Sequence, residues 1–149
     1  MDEAHYRDEL LSILRMNSAK ALETLQAFDA ALPEKARAIQ IMVHPDQDDS
    51  GMFAVLIHLN GPDLYVLNKA ISNCRYLFEA RYVDGKLETE VPLFDPEIVP
   101  FQVNDVIVDT AIIWVQELWK TFGGTKAGLP ASVFGEEDYG TQGIVQMSA

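Results

Sequence analysis

Apolar residues recur through residues 3 to 30 at Leu10, Leu14, Ala21, Leu25 and Phe28, spacings that keep one apolar stripe on a 3.6-residue period and predict helix. Leu32-Pro33 ends the segment, since proline supplies no amide hydrogen to a continuing helix. Asn17 and Ser18 interrupt the stripe. Both residue types favour helix ends over helix interiors, so the segment reads either as one long helix or as two shorter ones bent at that point. The period then changes from 3.6 to 2. In "ARAIQIMVH", Ile39, Ile41 and Val43 alternate with Gln40 and Met42, and in "MFAVLIHLN", Phe53, Val55, Ile57 and Leu59 occupy every second position, as in half-buried strands. An antiparallel pairing with His44 opposite Met52 sets Val43 across from Phe53, Ile41 from Val55 and Ile39 from Ile57, all on one face. Residues 45 to 51 become the hairpin loop.

After "NGP", Asp63 is placed to cap a short helix over 63 to 74, with Leu64, Leu67 and Ile71 at helical spacing. "YLFEARYV" and "KLETEV" then flank Asp84-Gly85, a dipeptide suited to a two-residue hairpin turn with positive backbone angles. The register that follows sets Tyr82 across from Leu87, Ala80 from Thr89 and Phe78 from Val91, with Arg81 across from Glu88 on the other face. Glu79, Arg81, Lys86, Glu88 and Glu90 share that second face, so the sheet is expected to be covered on one side only. Residues 92 to 101 carry three prolines and read as an ordered connection, neither strand nor helix.

From Asn104, read as a cap, to Phe122-Gly123-Gly124, read as a stop, the pattern predicts a helix with Asp105 in its first turn. Val106, Ile107, Val108, Ala111, Ile112, Ile113, Trp114, Val115, Leu118 and Trp119 cover most of its circumference, leaving Asp109, Gln116 and Lys120 as a narrow polar strip. Such a helix must be enclosed on more than one side, between the sheet and the N-terminal helix or by a homodimer contact through residues 103–122. Short strands near 131 to 134 and 143 to 147 flank an acidic turn. The sum is an α+β domain over residues 1–149, an antiparallel sheet built from hairpins and packed against an N-terminal helix and the buried 103–122 helix.

Composition narrows the classes. With 48% hydrophobic residues, 149 residues bury a sizeable core without disulfides, and the single Cys74 forms no intramolecular bridge. No apolar run reaches bilayer-spanning length and the N-terminus is acidic where a secretory signal is basic, so a cytoplasmic location is expected. Against 23 Asp and Glu stand 11 Lys and Arg, a formal charge of -12. A field of that sign repels nucleic acid and anionic membrane and attracts a basic protein partner, while also serving solubility.

The candidate chemistry lies in the loops. Asp46, Asp48, Ser50 and Gly51 match the first half of a calcium-binding EF-hand loop, but the twelfth position, which requires a bidentate carboxylate, is Ile57 in a strand. Pro45, Asp46, Asp48, Asp49 and Ser50 read instead as turn formers at an exposed acidic tip. The three histidines are scattered, with His44 and His58 at opposite ends of the predicted hairpin, and no metal or cofactor site follows from their spacing. Cys74 lies in no nucleophile motif and reads as a boundary residue. Glu136, Glu137 and Asp138 form a second acidic turn, next to Tyr139 between Gly135 and Gly140. Tyr139 is expected to be an aromatic anchor on an exposed loop. No catalytic set is legible.

The stretches "VPLFDP", "VNDVIVD", "WVQELW" and "EEDYGT" resemble those of a family of small acidic bacterial proteins of unknown function. In size, acidity and mixed fold the chain is also similar in general character to immunity proteins, which neutralise a basic toxin. Two functions are therefore expected as alternatives. One is a non-catalytic partner-binding protein, an immunity-type inhibitor or a chaperone, engaging a basic surface through Asp46, Asp48, Asp49, Glu136, Glu137, Asp138 and Tyr139. The other is a small-ligand-binding domain or enzyme with a pocket between the sheet and the 103–122 helix.

Overall fold

The computed structural model describes residues 2–95 and 97–147. The N-terminal segment is two helices, α1 (Glu3–Met16) and α2 (Ser18–Ala31), which meet at Asn17. Asp2 caps α1 by accepting the His5 amide at 2.8 Å. Asn17 turns its side chain back to donate to the Ile13 carbonyl at 2.9 Å, closing α1 and making no side-chain cap for α2. Tyr6, Leu10, Leu14, Ala21, Leu25 and Phe28 form the buried stripe.

The strands β1 (Ala38–Pro45), β2 (Phe53–Asn60), β3 (Tyr76–Glu79), β6 (Ala131–Gly135) and β7 (Val145–Met147) form one sheet in the order β3-β2-β1-β6-β7, and β4 (Arg81–Val83) with β5 (Lys86–Glu88) forms a separate hairpin. Between β2 and β3 lies the short helix α3 (Leu64–Ala70), capped as expected by Asp63, whose carboxylate accepts the Val66 amide. Its Leu67 is buried, while Leu64, expected on the same face, is exposed.

The β1–β2 register differs from the sequence expectation by two residues. Pro45 stands across from Phe53 and His44 from Ala54, and the Asp46 amide donates to the Met52 carbonyl at 2.9 Å. The turn is tighter than predicted because Asp49 and Gly51 both take positive φ and the Asp48 carboxylate and Ser50 hydroxyl accept the amides of Ser50 and Met52. A slip of two keeps every side chain on its own face, so Ile39, Ile41, Val43, Val55, Ile57 and Leu59 are still buried together.

The second hairpin keeps its predicted register, Tyr82 with Leu87 and Arg81 with Glu88, but ends sooner. Ala80–Thr89 and Phe78–Val91 do not pair. Thr89 turns to φ 58°, and residues 76–79 join β2 instead, with Phe78 across from Val55. The core claims Phe78, whose ring stacks on Phe53 at 4.9 Å and meets Trp114 edge-on at 6.2 Å; that burial outweighs a longer local hairpin. The β4–β5 hairpin stands off the main sheet, with Tyr82 exposed.

The fold is α+β, and its five-stranded sheet is mixed rather than antiparallel throughout, because β6 runs parallel to β1 from Ile39 beside Ala131 to Val43 beside Gly135. The chain reaches that position through α4 (Val103–Phe122), as a parallel neighbour requires a long crossover. Asn104 does not cap this helix. It lies inside the first turn, is 2% exposed, and donates to the Asp46 carbonyl at 2.9 Å. The inner face of the sheet covers one side of α4 and α1 with α2 another, leaving Ile113 exposed; Trp114 is fully buried and its indole donates to the Ser18 hydroxyl at 2.9 Å. Among the described residues no helix is long and apolar enough to cross a membrane.

Asp84 and Gly85 both take positive φ, 52° and 78°, and a Cβ at Gly85 would meet nothing within 4 Å. The cost of Gly85→Val is therefore one of backbone conformation alone, about 1 kcal/mol or more. Because the hairpin carries little of the core, that cost is expected as faster hydrogen exchange at the amides of β4 and β5, with β1 and β2 unchanged.

Candidate functional site

The parallel β1–β6 pairing decides where the acidic loops go. Both strands point the same way, so the loop after Pro45 and the turn after Gly135 leave the sheet at the same end. The N-terminus of α4 joins them through the Asn104 to Asp46 bond, and the proline-rich connection joins through the Phe94 amide, which donates to the Ser50 carbonyl at 2.7 Å. Residues 42–53, 92–109 and 135–141 at this end carry ten carboxylates and no lysine or arginine, while β3, antiparallel to β2, leaves the sheet at the same end and brings Arg81 into one hollow with Asp46.

The individual residues are placed differently from one another. Asp46 is exposed as a residue, yet its carboxyl is held above its ordinary range by partial burial and by Asp48. Asp48 is exposed and Asp49 half-buried at φ 60°. Glu137 and Asp138 are exposed, both at positive φ. Glu136 is half-buried, its Oε2 lying 2.9 Å from His44 Nδ1.

Tyr139 is not the exposed anchor expected of it. It is half-buried and packs on the core, because the turn that carries it is strapped to α4. Asp105 accepts the Gly140 amide at 2.8 Å, and Asp109 accepts both the amide and the hydroxyl of Thr141 at 2.8 and 2.9 Å. Gly135 permits the close approach, since a Cβ there would lie 2.5 Å from the Tyr139 carbonyl oxygen and 2.7 Å from a Val108 methyl.

A second feature is the face of the sheet that no helix covers, bearing Met42 and His44 from β1 and Ala54, Leu56 and His58 from β2. The predicted register kept the histidines six strand positions apart; the observed one leaves four, and the rings lean together to a centroid separation of 5.9 Å. Arg75 follows, with Nη2 2.9 Å from His58 Nδ1 and Nε donating to the Ile57 carbonyl at 3.2 Å. The row therefore runs Glu136, His44, His58, Arg75, from the turn after β6 across β1 and β2 to the residue that precedes β3. Burial first, then Arg75 and His44, push the His58 imidazole down to about 4.

His44, His58, Arg75, Asp46, Ala54, Leu56, Tyr76, Glu79 and Arg81 line a hollow of about 440 Å³ on this face. A smaller hollow of about 210 Å³ lies beyond it, between Met42, Phe134, Tyr139 and Ile144. The alternation that predicted the strands also named this face, but its mixture of Gln40, Met42, His44, Leu56 and His58 carries no motif, and Arg75 arrives from another element. By contrast, the space between the sheet and α4 is filled by Trp114 and its neighbours, and the hollow of about 290 Å³ by Trp119 and Met147 lies at the β7 edge. Cys74 is half-buried, with its thiol pushed up by burial. Among the described residues no three His, Cys, Asp or Glu side chains converge as metal ligands.

The chain belongs to DUF6389, a family of unknown function that it matches over residues 1–149, which agrees with the expected membership of a family of unknown function. No curated protein and no solved structure matches it.

Two outcomes follow from these contacts. Gly135→Ala is expected to destabilise the fold by about 1–3 kcal/mol, since the new methyl displaces Val108 or the Tyr139 carbonyl, as measured by urea denaturation. His58 binds a proton more readily unfolded, near 6.5, than folded, near 4; its contribution to stability is present above pH 6.5 and lost as pH falls towards 4. Solvent screening of this partly exposed ring limits the loss to about 1–2 kcal/mol, and His58→Gln is expected to flatten the stability curve in that window.

Proposed function

We propose that this member of DUF6389 is a non-catalytic protein-binding module of bacterial cytoplasm that engages a basic protein surface through its acidic end, in the manner of an immunity-type inhibitor or a chaperone. The observation that carries the reading is the parallel pairing of β1 with β6. It brings two loops ninety positions apart in sequence to one end of the sheet, where residues 42–53, 92–109 and 135–141 hold ten carboxylates against the Arg81 that β3 delivers to the same end. Concentrated charge of one sign on exposed loops steers an oppositely charged partner over distances of about a Debye length, roughly 8 Å at physiological ionic strength. Asp46, Asp48, Asp49, Glu137 and Asp138 make the first electrostatic contact. Glu136 is engaged by His44, and Tyr139 supports the turn from beneath.

The experiment isolates the protein captured by the wild-type chain from host lysate at low salt and compares its binding to wild type and to a variant with Asp46, Asp48, Asp49 and Asp138 changed to Asn and Glu137 to Gln. Association is expected to slow at least about tenfold at low salt while dissociation changes far less, because exposed charges act mainly on encounter. Thermal stability is expected to hold, as an asparagine oxygen at position 48 can still accept the Ser50 amide and the other changes remove charge without removing volume. Unchanged association by the neutralised variant overturns the reading.

A further inference from the structure

Of the eleven lysines and arginines, ten are exposed and Arg75 alone is half-buried. Its backbone is fixed, the Ile57 amide donating to the Arg75 carbonyl at 2.8 Å, and its guanidinium is held by the Ile57 carbonyl and the His58 ring. The ion pairs among the described residues include none between Arg75 and a carboxylate. In a chain with 23 carboxylates, a cation drawn partly out of water without a counter-ion is costly unless something supplies one. Arginine can only donate, so the His58 nitrogen it faces must accept and the ring is neutral. Neither neighbour offsets the charge, and Nη1 takes no part in either bond.

Arg75 borders the 440 Å³ hollow, a volume within the range of small-molecule sites. Ala54, Leu56 and Tyr76 give that hollow apolar walls. Arg81 and Glu79, paired at 3.2 Å, add no net charge to it, and Asp46 with His44 lies towards the acidic end. We propose that the hollow on the open sheet face binds a small monocarboxylate with an apolar body, its carboxylate on the guanidinium of Arg75 and its body against Leu56 and Tyr76. The planar guanidinium matches a carboxylate through two parallel N–H bonds. A single negative charge suits the site better than a phosphate dianion, because Glu79 and Asp46 line the same hollow and the protein carries a charge of -12.

The test follows the imidazole resonances of His58 by NMR while the full chain is titrated with benzoate, acetate or inorganic phosphate. Benzoate is expected to give a saturable shift and to raise the His58 pKa, since a bound carboxylate offsets the charge of Arg75. Acetate, which lacks the apolar body, is expected to bind at least about tenfold more weakly. Arg75→Gln is expected to weaken benzoate at least about tenfold, the loss of a charged hydrogen-bond pair. Because Arg75 also bonds to Ile57, Leu56→Trp serves as a second variant that fills the hollow and leaves Arg75 intact; it is expected to abolish the benzoate shift. No saturable shift at benzoate concentrations in the tens of millimolar overturns the proposal. So does phosphate binding as tightly as benzoate, or benzoate binding unaltered in a folded Leu56→Trp chain.

Discussion

The enclosure of α4 is the constraint on which the remaining architecture depends. A twenty-residue helix that is apolar on almost every side is stable in water only if other elements cover it, and at about 25 cal/mol per Å2 of apolar surface that covering is the largest favourable contribution available to the chain. The inner sheet face takes one side and the two N-terminal helices another. The Trp114 indole on Ser18 and the Arg15 guanidinium on Glu117, at 2.6 Å, then fix how the helices cross. With its long helices committed to one side, the chain has none left for the opposite face of the sheet. The open face with its histidines and Arg75 is the counterpart of an α4 whose apolar residues are mostly covered.

Much of this was legible from period alone. The 3.6-residue stripe at Leu10, Leu14, Leu25 and Phe28 and the alternation from Ile39 to Val43 and Phe53 to Leu59 named the buried residues correctly, because a residue's face depends only on local geometry. Asp84-Gly85 named its turn, because positive φ at both positions is a property of those two residues. What local pattern could not supply was the competition between distant partners. Phe78 had a good neighbour at Val91 in the hairpin and a better one at Phe53 in the core, and nothing nearby in sequence ranks the two. The choice of β6 as a parallel neighbour of β1 depends on where α4 delivers the chain.

The candidate site shows the same division. Its acidic residues were evident from composition, but their assembly into one end of the molecule comes from a strand pairing between residues 39–43 and 131–135. Tyr139 was read, between its flanking glycines, as an aromatic anchor on an exposed loop. Those glycines instead let the turn press down on Val108, and the carboxylates of Asp105 and Asp109 hold it there. The two-residue slip in β1–β2 left the core unaltered yet changed the open face, bringing His44 and His58 together. A register error that preserves faces is invisible to hydrophobic pattern and visible only in which polar side chains meet.

The β1–β6 pairing also bears on the order in which the molecule is completed. The β1–β2 hairpin and the N-terminal helices form from near neighbours, whereas joining Ile39 to Ala131 closes a loop of more than ninety residues, an entropic cost that only the docking of α4 offsets. The acidic end is therefore a late product of folding, absent from a chain that has formed its local elements alone. Its concentrated charge is thus a property of the completed sheet and of no local element by itself.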